Sequence, residues 1–250
     1  MARDFTLISY EHLLVALQQK GYRFVTFEEF LTTSPEGKIV IMRHDVDDKP
    51  LNSQHTAEIE HKLGIRGVYY FRIVRQSNDP AVIRAIAEMG HEIGYHYEDL
   101  ALARGDFKKA MENFEKNLKY FREFYPVRTI CMHGSPTSKW DNRKVWEKYK
   151  YKDFDIIGEP YLDLNFNSFC YLTDTGRKWN GDQVSIRDKV HSPHQFNFRK
   201  TKDIIKNIDA LPEQVMITVH PQRWNDPMVP WVTELVYQNA KNLVKWLIIR

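Results

Sequence analysis

Two hydrophobic periods alternate along most of the chain. Apolar residues three or four apart mark helical faces: Leu13, Leu14 and Leu17 within residues 9–20, then Val82, Ile83, Ile86 and Met89 after Asn78-Asp79-Pro80. The longest such stripe is Phe107, Ala110, Met111, Phe114, Leu118 and Phe121, within residues 106–124. Further helical patterns lie at 51–63, 145–149, 204–211 and 232–247. Between them stand short apolar runs, rich in β-branched and aromatic residues, of the kind that suits strands covered on both faces. They fall at 39–42, 67–74, 91–96, 129–133, 154–157, 169–172 and 215–219. Gly21, Gly64 and Gly90 close helices, and Thr26 with Glu29 opens one at capping-box spacing. Strands alternating with helices predict a mostly parallel α/β sheet, and the number of units predicts closure into a barrel of about seven strands. No linker or repeat divides the 250 residues, so one domain is expected, with residues 1–37 as an N-terminal helical extension packed on the barrel. Residues 173–195 read as a long loop.

Chemistry gathers where the apolar runs stop. The first run ends in Arg43, His44, Asp45, Asp47 and Asp48, a crowding of like charges that a cation or basic partner must offset. A solvated turn is the plain alternative for such a segment. Other runs end similarly: His91 and His96 in GHEIGYHYED, His133 in ICMHGSP, and His220 in MITVHPQRW. In a barrel the strand ends at Asp45, Val74, His96, His133, Ile157, Leu172 and Val219 are expected on one rim.

Composition narrows the setting. The 36 basic and 33 acidic residues are interleaved without a basic stripe, which argues against nucleic acid as a partner. Cys131 and Cys170 lie inside apolar runs, so a disulfide framework is not expected. The start, MARDFTLISYEH, has no apolar signal region, and no run approaches the ~20 apolar residues of a membrane span. The reading is a soluble, cytoplasmic protein.

With HDVD, GHEIG and TVHPQRW in that order, the chain resembles the polysaccharide deacetylases of the NodB-homology type (carbohydrate esterase 4-like) from Ile39 to about Trp224, in a divergent branch with a His-Asp-Val-Asp first motif. The resemblance implies a distorted (β/α) barrel, a divalent metal, usually zinc, and removal of N- or O-acetyl groups from a carbohydrate or glycan precursor. It implies Asp45 as general base, with Asp47 and His96 as metal ligands; Asp47 and Asp48 offer a second register. Where the family has a second ligand histidine this chain has Leu100, and Glu98 or Asp99 is the nearest replacement, with Glu98 favoured because it lies two residues beyond His96 and projects to the same side in extended chain. His133 stands in place of the family's arginine and is expected to orient Asp45, while His220 is expected to donate a proton to the departing amine. Arg43, Asp174, Trp179 and Trp224 are the expected substrate contacts, Asp174 and Trp179 at the rim and Trp224 as a stacking face. Two other functions fit the pattern: a non-catalytic sugar-binding barrel that has lost its metal, which Leu100 favours, and an amide hydrolase acting on a small non-sugar molecule.

Overall fold

The computed structural model describes residues 3–179, 187 and 190–249, with the side chains of the last helix described as far as Leu243. Seven strands form one parallel sheet: β1 (Arg23–Val25), β2 (Ile39–Val46), β3 (Val68–Phe71), β4 (Glu92–Tyr97), β5 (Ile130–Met132), β6 (Phe169–Thr173) and β7 (Gln214–Val219). Their order is β5-β4-β3-β2-β7-β6, with β1 beside the first half of β2 and β3 beside its second half. The sheet curls into a distorted barrel in which β5 and β6 occupy the two ends of the hydrogen-bonded path.

Helices α1 (Leu7–Gln19), α2 (Phe27–Thr33), α3 (Pro50–Lys62), α4 (Pro80–Glu88), α5 (Asp99–Leu102), α6 (Phe107–Phe121), α7 (Pro160–Asp163), α8 (Thr201–Lys206) and α9 (Met228–Ile249) follow or connect the strands. Local chemistry sets several boundaries. Asp79 caps α4 by accepting from the backbone N–H groups of Ala81 and Val82, with Pro80 in the first turn. Thr6 and Ser9 form a reciprocal capping box on α1.

Two expectations change. Residues 154–157 do not form a strand: a 3-10 turn spans Tyr151–Phe154, Asp155 adopts the left-handed conformation (φ 58°), and a lone parallel bridge joins Thr129 to Gly158. A short apolar run with aromatic residues fits a packed turn as well as a strand. The missing strand is β1, whose three residues RFV are too few to show a period. Residues 145–147 likewise belong to a 3-10 turn, Asn142–Glu147, and no α-helix forms at 145–149. Part of the expected loop at 173–195 lies outside the described residues; its start is a 3-10 turn, Thr175–Arg177.

Strand alternation sorts the core into an inside and an outside. Ile39, Ile41, Val68, Tyr70, Cys131, Phe169 and Met216 pack together in the barrel interior. Their neighbours in sequence face the helices: Tyr69, Phe71, Ile93, Tyr95 and Tyr97 join Phe114 and Leu118, and Val40, Met42, Val215 and Ile217 join Leu13, Leu14 and Leu17. Each fully buried side chain of this size contributes about 1.5–3 kcal/mol, which anchors the strand ends above them. The second glycine of GHEIG belongs to this packing, because a Cβ on Gly94 would collide with the Tyr70 ring. His91 also belongs to it, fully buried between the Ala57 carbonyl at 3.1 Å and the Gly67 N–H at 3.1 Å.

Candidate active site

Continuing the inward face of each strand to its C-terminal end brings the ionisable groups together. On β2, Ile39 and Ile41 are followed on the same face by Arg43 and Asp45; on β4, Gly94 is followed by His96. Tyr70 leads to Arg72, Cys131 to His133, and Thr218 to His220 by the same two-residue step. All of these groups except Arg43 line a cavity of about 720 Å³, together with Asp47.

Arginines neutralise all but one of the central carboxylates. Arg43 holds Asp45 through two bonds of 2.8 and 2.7 Å, both groups buried. Arg72 holds Glu98 through two of 2.8 and 2.9 Å. Arg223 Nη1 lies 2.5 Å from Asp174 Oδ1. In each of the three carboxyls burial raises the pKa, and the charges beside it outweigh that effect and hold it below the usual carboxylate range.

Asp47 is the exception. Three imidazoles surround it, with His96 Nε2 3.6 Å and His133 Nε2 3.5 Å from Oδ1, and His220 Nε2 3.8 Å from Oδ2. These separations are too long for hydrogen bonds, and Oδ1 is buried without a partner. Burial pushes the Asp47 carboxyl up, but His133, His220, His96 and Arg72 together draw it well below its ordinary value.

Each imidazole is fixed from behind. His96 Nδ1 donates to the Cys131 carbonyl at 3.0 Å, which leaves a lone pair on Nε2. His133 Nδ1 lies 2.9 Å from Glu98 Oε2, and His220 Nδ1 lies 2.6 Å from Asp174 Oδ1. Burial, the largest influence on His96, lowers its pKa to about 4, so the ring is neutral at pH 7.

The arrangement fits a divalent cation. Tetrahedral zinc with bonds of about 2.1 Å separates its donor atoms by roughly 3.4 Å, close to the spacing between Asp47 Oδ1 and the rings of His96 and His133. Donors on imidazoles already bonded at their other nitrogen are the arrangement that metal sites use. Asp45, His96 and Cys131 form another compact donor group, their atoms within 4.8 Å of one another. The guanidinium of Arg43 already occupies both Asp45 oxygens, so a dication there would meet a fixed positive charge.

Several expected residues have other places. Glu98, expected to complete a metal shell, has its carboxylate taken by Arg72 and His133 and stands behind the histidine. His133 does not touch Asp45 in the manner expected of an orienting group; Arg43 does that, instead of lying free for substrate. Asp174, expected at the rim, is fully buried and bonded to His220, Arg223 and Trp224. Trp224 and Trp179 are 1% and 3% exposed and pack with Phe5, so neither offers a face to the cavity. Leu100 packs in the helix-side core. Ile157 borders a separate depression with Arg128 and Lys152, away from this rim. Arg72 and Arg223 also join the site: the two-residue step from Tyr70 marks Arg72, while Arg223 has no signal beyond its closeness to His220.

The fold and this cluster define a distorted (β/α) barrel with a group of Asp and His side chains gathered at the C-terminal ends of its strands. No protein-family model matches the sequence, nor does any curated protein sequence. Among solved structures, the chain is similar to a CE4 family pseudoenzyme from Bacillus anthracis (12% identity, TM-score 0.46, 83% of this chain and 62% of that one). It is also similar to the Xyl-CE4 domain of a multidomain xylanase from the hindgut metagenome of Trinervitermes trinervoides (12% identity, TM-score 0.44, 83% and 85% covered). A third is the family 4 carbohydrate esterase from Streptomyces lividans in complex with acetate (12% identity, TM-score 0.42, 84% and 88% covered). The chain spans less than two thirds of the length of the first of these. These likenesses concern the path of the chain.

Proposed function

We propose that the protein is a metal-dependent hydrolase that removes acetyl groups from a carbohydrate or glycan precursor. The observation that carries the reading is the unpartnered Asp47 oxygen facing His96 and His133, beside an Asp45 held ionised by Arg43. Asp47, His96 and His133 would hold the ion, and two imidazoles with one carboxylate suit zinc. When bound, such an ion supplies an acidified water, with a pKa near ~7, and a polarised acyl carbonyl.

The remaining roles belong to the protein. Asp45, kept as a carboxylate by Arg43, takes the proton from the attacking water. His220, on the Oδ2 side of Asp47 and braced by Asp174, delivers a proton to the departing amine or alcohol. Glu98 and Arg72 keep His133 turned towards Asp47. Metal analysis of protein purified without chelator, with acetate release from a panel of acetylated sugars, tests the reading. About one ion per chain with acetate release supports it, and a His133→Ala protein that retains full metal content overturns the ligand set.

A further inference from the structure

We infer that the cavity takes a single polyhydroxylated ring, hydrogen-bonded by Gln222 and Arg223 and walled by α9, so that the substrate is a small or chain-terminal acetylated sugar and not the interior of a long polymer. This rests on the hydrolase reading above and adds its substrate class.

The first support is unmet hydrogen bonding. Besides Asp47 Oδ1, two buried polar atoms of cavity-lining residues lack partners, Gln222 Oε1 and Arg223 Nε. Gln222 is 7% exposed and Arg223 5%, and leaving such atoms unpaired costs about 1–3 kcal/mol each. Both sit on the 3-10 turn Pro221–Arg223, directly after His220. One needs a donor and the other an acceptor, and vicinal hydroxyls on a ring present both within a few ångströms.

The second support is the wall. Glu234 and Gln238, on the inward face of α9, line the cavity and are 4% and 3% exposed. Lys49 Nζ reaches Glu234 Oε2 at 3.2 Å, tying α9 to the turn after β2. Asn242 donates to the Gly176 carbonyl at 2.9 Å and accepts from Gln238 at 2.8 Å, tying the helix to the turn after β6. A helix fastened at both of these points bounds that side of the cavity, where an interior polymer unit would need room for the chain beyond its ring. The volume of about 720 Å³ lies within the roughly 300–1,000 Å³ of pockets that enclose small ligands.

The test titrates the zinc-loaded protein with N-acetylglucosamine, and measures acetate release from that sugar and from a soluble long polymer of it. The inference expects Gln222→Leu to weaken binding about tenfold with unchanged metal content and circular dichroism, and Gln222→Glu, which keeps the acceptor, to bind more tightly than Gln222→Leu. It also expects the short substrate to be favoured by ~100-fold in kcat/KM, and the double variant Lys49→Ala with Glu234→Ala to narrow that gap. Equal binding by wild type and Gln222→Leu, no binding by the wild type, or polymer turned over as well as the monosaccharide would overturn it. If the sugar binds in a Gln222-dependent way and no acetate is released, the ring site at Gln222 stands, while the hydrolase reading and the substrate assignment that rests on it both fail.

Discussion

Strand β2 contributes to two buried polar clusters, one on each face, and they differ in a way that separates structure from chemistry. Behind the sheet, His44 joins Tyr10, Glu60, Tyr69 and His91, all fully buried. His44 Nε2 lies 2.9 Å from the Tyr10 hydroxyl and 3.0 Å from Glu60, His44 Nδ1 donates to the Val68 carbonyl, and Tyr69 donates to Glu60 at 2.8 Å. Every one of these side chains has a partner. Inside the barrel, on the other face of the strand, Arg43 and Asp45 hold each other through two bonds, but Arg43 Nη1 and an oxygen of the neighbouring Asp47 are buried without a partner. A saturated cluster contributes to stability and specificity of packing, whereas an unsaturated one has been left incomplete for something that binds.

The contrast is most sharply broken by removing one member from each side. Glu60→Ala takes from the buried cluster the carboxylate shared by His44, Tyr10 and Tyr69, and is expected to destabilise the fold by about 3–5 kcal/mol in denaturant titrations. Asp47→Ala is expected to abolish zinc retention while the metal-free protein unfolds at nearly the wild-type midpoint; a large loss of stability there would make Asp47 a structural residue like Glu60. Asp45→Asn should keep the ion and lower kcat by roughly 10²–10⁴-fold, read by acetate release alongside metal content. A smaller effect is expected from Glu98→Gln, which loosens His133 from behind: zinc affinity falls about tenfold, measured by competition with a chelator.

The gentlest test uses a buried acid outside both clusters. Burial raises the Glu92 carboxyl from 4.5 to about 7, against the N–H of Glu28 and the Thr129 hydroxyl that favour its ionised form. The folded state therefore holds a proton that the unfolded chain releases. That contribution to stability is complete below pH 4.5 and is lost as pH rises through about 7. Glu92→Gln should flatten the decline in unfolding midpoint between pH 5 and pH 8, and an unchanged slope would show that other groups control it.

By itself the sequence determined the alternation of helix and strand, and the strand ends where Asp45, His96, His133 and His220 stand, because both are properties of local spacing. Roles within the site depend on distances between strands, which spacing does not contain. Glu98 follows His96 by two residues and looks like its fellow ligand, yet Arg72 from β3 claims its carboxylate first. His133 comes from β5, 37 residues beyond His96, and reaches Asp47 only because β4 and β5 pair in a register that sets His96 beside Cys131. Trp179 and Trp224 had the composition of a sugar platform, and only packing against Phe5 put them out of reach. The number of strands was legible while the identity of two was not, since RFV is too short for periodicity and an apolar run at 154–157 satisfies a packed turn equally well. Which carboxylate stays free for a cation is decided by which arginine arrives from the neighbouring strand or turn, and only the tertiary structure makes them neighbours.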